Sequence, residues 1–319
     1  MEHVPTQRSQ EKRIRPYIER IDIGNISIDK DGMEHMKLIL QPGSYEMRIG
    51  FRPFGRFESN WFSGASDDPG ARDRPFKIDL HHPDVIRFNR ELFADISARP
   101  DDPQFIIQLD KKFSSLLPSA PLSKIEHYNT LSDIVRAGNG MCAAKTTLLG
   151  TLLAHRYPQM QLQEIHGQIG IIQDRVSYPF GHEWLRGESE KLIFLYDPMY
   201  SRLANFEKRG SALVPIDDGV NTFEKYSVEA LPISCIRNKL NPSNLLANAK
   251  LVDEHDPESA AKRIFLLPEE SFNAQVDGAI HLSFNLDQDT SLGLVDGHVQ
   301  AATPGGAGIY YPIASIRKI

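Results

Sequence analysis

Three side chains able to do covalent chemistry fall within one stretch of this 319-residue chain: the thiol of Cys142, the imidazole of His182 and the carboxylate of Asp197. A thiolate attacks an acyl carbon, an imidazole takes and returns the proton, and a carboxylate holds the imidazole in the right tautomer. Together they are the parts required for acyl transfer through a thioester. The approach Gly138-Asn139-Gly140-Met141-Cys142 leads into leucines at 148, 149, 152 and 153 and alanines at 143 and 144, with Pro158 beyond them. That pattern predicts a buried helix over Cys142–Arg156 with the cysteine in its first turn. Unpaired N–H groups and the helix dipole at that position lower a thiol below its free value of about 8.5 and can face a developing oxyanion.

The other two residues must be positioned by strands. Ile165–Ile172 has strand character, a longer loop leads to Gly181, and His182–Arg186 and Leu192–Asp197 form the arms of a hairpin. A two-residue turn at Ser189-Glu190 sets Leu185 opposite Phe194, Trp184 opposite Leu195 and His182 opposite Asp197. Directly opposed side chains have Cβ atoms about 4.5–5.5 Å apart, close enough for a carboxylate to orient an imidazole. A slip of one residue separates the pair. Taken singly, each residue has a plain structural reading: a small buried thiol, a loop histidine, and a turn aspartate before Pro198. Their joint order and settings favour a site.

These residues carry a resemblance. The glycine-rich approach to Cys142, the leucine-rich helix, His182-Glu183-Trp184 and Leu195-Tyr196-Asp197-Pro198 are similar to the core of the transglutaminase-like, papain-related superfamily, over about 60 residues. In that superfamily a Gly-x-Cys opens a helix, a His-x-Trp lies on the sheet and an Asp-Pro ends the adjoining strand. The resemblance implies an α+β fold whose helix, bearing the cysteine, packs on an antiparallel sheet with β-rich flanking segments. It implies Cys142 as nucleophile, His182 as base and then acid, and Asp197 as orienting carboxylate. No glutamine stands at the papain-like oxyanion position, which Arg136 occupies, so Asn139 is the candidate side-chain donor and Trp184 a candidate cover for the thioester. The implied activity is that of a cysteine protease, amidase or deamidase on a protein or peptide substrate. The alternatives are a protein-crosslinking transglutaminase and a non-catalytic binding module.

Other candidates are weaker. His127, His155 and His166 are alternative bases by sequence proximity, but His155 falls roughly 19 Å along the helix from Cys142, and a histidine on a strand such as His166 is usually structural. Cys235 lies in the apolar run Pro232-Ile233-Ser234-Cys235-Ile236, typical of an inert thiol. His81-His82 has no third ligand at metal spacing, so no metal and no cofactor are expected. Phe51, Phe54, Phe57, Trp61 and Phe62 read as anchors for the loop Ser63 to Pro75.

The rest of the chain sets limits. A formal charge of -6 with no basic stripe argues against nucleic acid as a partner. No apolar run approaches the roughly 20 residues that span a bilayer, and the polar first twenty residues contain no signal peptide. The expectation is a cytoplasmic protein, or one exported without such a signal, with its oligomeric state open. The organisation reads as a tail over 1–15, a β-rich region over 16–100, the core over 101–240 and a β-rich segment over 241–319. In the second region Met36–Leu40 and Tyr45–Ile49 look like a small meander, followed by helices over Asp84–Ala98 and Gln104–Leu117. Val276-Asp277-Gly278 and Val295-Asp296-Gly297 look like tight hairpins, and residues 201–240 carry few signals.

Overall fold

A computed structural model describes residues 20–21, 26–29, 35–54, 77–120, 128–173, 176–216, 219–231, 249–252, 263–295, 298–302 and 308–319. Strands β1 (Arg20–Ile21), β2 (Ile26–Asp29), β3 (His35–Leu40), β4 (Gly43–Gly50) and β5 (Arg52–Pro53) come first. Four helices follow: α1 (Pro83–Phe93), α2 (Gln104–Leu116), α3 (Leu131–Ala137) and α4 (Cys142–Arg156). Then come β6 (Gln161–Gln173), β7 (Val176–Glu188), β8 (Leu192–Asp197), β9 (Arg202–Arg209), β10 (Ala212–Pro215), α5 (Val220–Phe223) and β11 (Ser227–Leu231). The chain ends with β12 (Ala249–Val252), β13 (Arg263–Leu266), α6 (Pro268–Asp277), β14 (Ala279–Leu286), β15 (Thr290–Val295), β16 (His298–Ala302) and β17 (Gly308–Lys318).

The fold is α+β and has two largely antiparallel sheets. One runs β14-β4-β17-β16-β15-β3-β2, with β1 alongside β17, so strands from both ends of the chain share it. The other runs β10-β9-β8-β7-β6-β11-β13-β12, with β5 alongside β6. Because successive side chains on a strand point to opposite faces, this second sheet serves two cores. Trp184, Ile193, Leu195 and Phe206 join Tyr45, Met47 and Ile280 in a core shared with the first sheet. Leu185, Phe194 and Tyr196 join Val85, Leu109, Leu148 and Leu152 in a core under α1–α4. Every residue of β8 is buried for this reason.

Helix α4 begins and ends where the sequence pattern places it, and it is buried around most of its circumference from Cys142 to Leu153. Phe51 is in the inter-sheet core and Phe54 packs on the helical one, as anchors should. The ring of Phe54 lies so close to Gly150 that a Cβ there would meet it at 2.5 Å. Phe57, Trp61, Phe62 and the loop after them lie outside the described residues.

Three expectations are corrected, and one stretch with few signals is filled in. The loop before Gly181 is strand, since β6 and β7 pair from Gln161↔Glu188 to Gln173↔Val176 as one long hairpin. β3 and β4 are not meander neighbours: β3 pairs with β2 and β15, whereas β4 pairs with β14 and β17. Val276-Asp277-Gly278 is no hairpin but the end of α6, with Gly278 as its left-handed cap. Residues 201–231 hold three strands and a short helix.

Candidate active site

Gly138 ends α3 at φ 68°, in the left-handed region that glycine adopts without strain, and its N–H reaches back to Ile134 and Val135. The chain then passes Gly140, whose carbonyl accepts from Ala120 N (3.1 Å) and whose N–H donates to Pro118 O (3.2 Å). Met141 is extended and offers no side-chain cap to the first N–H groups of α4. Cys142 is the first residue of the helix.

The sheet makes room for that helix start. Pairing between β7 and β8 runs only from Glu188↔Ile193 to Leu185↔Tyr196, and the first turn of α4 meets β7 beyond it. Thr146 Oγ1 donates to Glu183 O at 3.2 Å, and the backbone N–H groups of Glu183 and Ala143 are directed at the Cys142 sulfur. The thiol thus lies beside the residue that follows His182. On the far side of β7, Gly167 is opposite His182, where a Cβ would meet Ser227 O at 2.0 Å and the Trp184 ring at 2.6 Å. Only glycine permits β11 and the indole to approach this closely.

His182 Nε2 and Asp197 Oδ2 are 2.7 Å apart, both side chains fully buried. The expected register, however, is corrected by two residues: Leu185 faces Tyr196 and Arg186 faces Leu195. The turn centres on Glu190-Lys191, closed by Ser189 N to Leu192 O at 2.9 Å and by Leu192 N to Ser189 Oγ at 3.2 Å. Moving the turn by one residue moves the pairing by two, which preserves the face of every side chain. Asp197 becomes a diagonal neighbour of His182. That longer span suits the distal nitrogen of the ring, and it leaves Nδ1 buried without a hydrogen-bond partner among the described residues.

Asp197 is fully subscribed. Oδ2 also accepts from Tyr226 OH (2.6 Å), and Oδ1 accepts from the backbone N–H of Met199 (2.9 Å) and Tyr200 (3.3 Å). Burial alone would raise this carboxyl, but the hydrogen bonds from His182 and Tyr226 hold it below the usual carboxylate range. The Tyr226 phenol is raised in turn, by burial and by the Asp197 charge. Tyr200, 36 % exposed, stands with its ring centroid 5.5 Å from that of His182 and is the most open of these side chains. Tyr200 and Tyr226 were not found from the sequence, and nothing periodic or motif-like around them could have singled them out.

The thiol itself departs from expectation. Burial pushes Cys142 far above the usual thiol range and the Glu183 and Asp197 charges add to this, whereas the Glu183 and Ala143 N–H groups oppose it. The helix terminus is in place, yet desolvation outweighs it, so the resting state is a thiol.

Lys145, one turn into α4 and 1 % exposed, donates to Ser119 Oγ (3.1 Å) and sits 5.6 Å from the Phe113 ring centre. Burial lowers it to about 8 despite the pull of Asp197 and Asp110. The folded state therefore binds this proton less tightly than the unfolded one, and stability rises as pH climbs from about 8 to the ordinary lysine value of 10.5. Lys145→Met is expected to stabilise the chain at neutral pH by roughly 3 kcal/mol and to remove that rise, as read from urea midpoints across the pH range.

The remaining sequence candidates are placed as follows. Trp184 is fully buried, its indole N–H spent on Gln275 Oε1 at 2.9 Å, so it packs the core and has no donor to offer an oxyanion. Asn139 Nδ2 donates to Ala137 O at 3.3 Å. His166 sits between two carboxylates on the sheet face turned toward α4, and His155 is exposed near the far end of α4. His82 caps α1, its Nδ1 accepting from Asp84 N at 3.2 Å. His127 and Cys235 lie outside the described residues. No helix among the described residues is long and apolar enough to cross a membrane.

Fold and site together define an α+β protein that pairs a buried imidazole with a buried carboxylate where β7 and β8 part, and sets a thiol at a helix start against the next residue of β7. No protein-family model matches the chain, and no curated protein matches it.

Proposed function

We propose that the protein is a cysteine-dependent acyl-transfer enzyme with a papain-like, transglutaminase-like core, acting on peptide or carboxamide bonds. The observation that carries this reading is the buried His182–Asp197 pair at 2.7 Å, whose second imidazole nitrogen has no hydrogen-bond partner among the described residues, together with a helix-initial cysteine set against the backbone of the next residue, Glu183. Asp197 fixes the proton on Nε2 and leaves Nδ1 as an acceptor. As the Cys142 sulfur adds to the acyl carbon, Nδ1 takes the thiol proton, and the carbonyl oxygen becomes an oxyanion within reach of the uncapped N–H groups at the start of α4. His182 then returns the proton to the departing amine, leaving a thioester on Cys142. Water activated by the same Nδ1 releases a carboxylic acid, which makes the enzyme a protease, amidase or deamidase; an amine acceptor makes a crosslink.

Intact mass spectrometry of candidate peptides incubated with the protein and with Cys142→Ala tests this reading. Cleavage, or a gain of about 1 Da from deamidation, should appear with the wild type and vanish with the variant. Conjugation with loss of ammonia would select amine transfer instead. Cleavage or deamidation that persists at the wild-type rate in Cys142→Ala would overturn the nucleophile assignment.

A further inference from the structure

Glu183 takes no part in the reaction above, yet it flanks the thiol. His166 on β6 pairs directly with Glu183 on β7, so their side chains share the face turned toward α4, and Glu164, two residues earlier on β6, shares it as well. His166 Nδ1 lies 3.2 Å from Glu183 Oε1, and Nε2 lies 3.5 Å from Glu164 Oε2, with both Glu164 and His166 buried. Burial would lower His166, but Glu183 and Glu164 raise it to about 10, so it is a cation at neutral pH and cannot act as a base. From α4, Cys142 and Thr146 come down on Glu183 itself, and its charge opposes the thiolate more strongly than that of Asp197. A buried carboxylate beside a nucleophile is a burden unless something cancels it.

We propose that His166, clamped between Glu164 and Glu183, is a positioning residue that neutralises the Glu183 carboxylate beside Cys142 and so permits thiolate formation without touching the sulfur. The titratable groups on this face are Glu164 and His166 from β6, Glu183 from β7 and Glu229 from β11, which alternates with the core residues Val228 and Ala230; His182 and Asp197 belong to the opposite face, and Cys142 of α4 meets the Glu183 backbone between the two. The inference rests on Cys142 as nucleophile. It also accounts for the pairing of an acidic residue with the histidine next to it in sequence, His182-Glu183, which by itself would hinder the chemistry.

The test is the rate of iodoacetamide addition at Cys142, resolved by peptide mass spectrometry across pH, in the full chain and in Glu183→Gln, His166→Gln and the double variant. Glu183→Gln should speed labelling about tenfold near neutral pH and move the profile to lower pH, since one pKa unit is a tenfold change in thiolate fraction. His166→Gln should slow the wild type about tenfold but leave the Glu183→Gln background unchanged, because it acts through Glu183. Wild-type rates in Glu183→Gln, no slowing in His166→Gln, or equal slowing in both backgrounds would overturn the proposal. If His166→Gln does not fold, the isosteric Glu183→Gln still decides. Labelling requires no substrate, so an inactive but responsive thiol would sink the acyl-transfer reading and leave this one standing.

Discussion

Asp197→Asn is expected to lower kcat about 10⁴-fold while the chain stays folded, because the substitution is isosteric and reverses only the hydrogen bonds at Oδ2, with His182 and with Tyr226, whose hydroxyl can turn to accept. Asparagine would present an N–H to His182 Nε2, which lies 2.7 Å from Asp197 Oδ2. The imidazole would then carry its proton on Nδ1, the nitrogen that must accept from the thiol. The two backbone donors, Met199 and Tyr200, would still find a carbonyl oxygen, so the turn after β8 should survive. Steady-state kinetics with a unified far-UV spectrum checks the claim, and a loss below tenfold would remove Asp197 from the mechanism. The native profile should follow the same logic. Asp197 titrates below the usual carboxylate range, so its support of the folded site is present above the unfolded value and is lost only as pH falls through the lowered one.

Trp184→Ala should destabilise the fold by about 3–5 kcal/mol for the lost aromatic volume. Stranding Gln275 Oε1, which accepts the indole N–H at 2.9 Å, adds about 1–3 kcal/mol. Trp184 is fully buried, stacks beside His182 with ring centroids 6.0 Å apart, and meets Tyr226 edge-on at 5.0 Å. The loss should therefore loosen the whole imidazole surround. Trp184→Phe keeps most of the volume and should lose mainly the hydrogen bond. Urea midpoints at unchanged m separate the two variants. A thiol-labelling rate near wild type in Trp184→Phe would place the indole in packing alone, and a drop of a hundredfold at full stability would restore it to the reaction.

The residues of the site were legible for different reasons. Cys142 was found because a glycine-rich approach and a 3.6-residue apolar pattern are local signals, and both the helix and its first residue followed from them. His182 and Asp197 were found by type and order, with an incorrect register that happened to preserve their face. The error arose at the turn, where Ser189 Oγ accepts from Leu192 N and draws the bend one residue later than the simplest two-residue loop. Trp184 read equally well as cover or core, and only its bond to Gln275, 91 residues away, separates them.

By itself, the sequence determined α4 and its cysteine and the strand character of the two arms of the hairpin, because each depends on residues a few positions apart. The tertiary structure alone decided which strands are neighbours, bringing β4 and β17 into one sheet across most of the chain. It also decided that Tyr226 would hold Asp197, that His166 would meet Glu183 beneath the thiol, and that the thiol would be desolvated. These contacts join residues with no local spacing in common. They are settled by which buried faces and hydrogen-bonding groups must be satisfied together, and periodicity along a single segment does not record that.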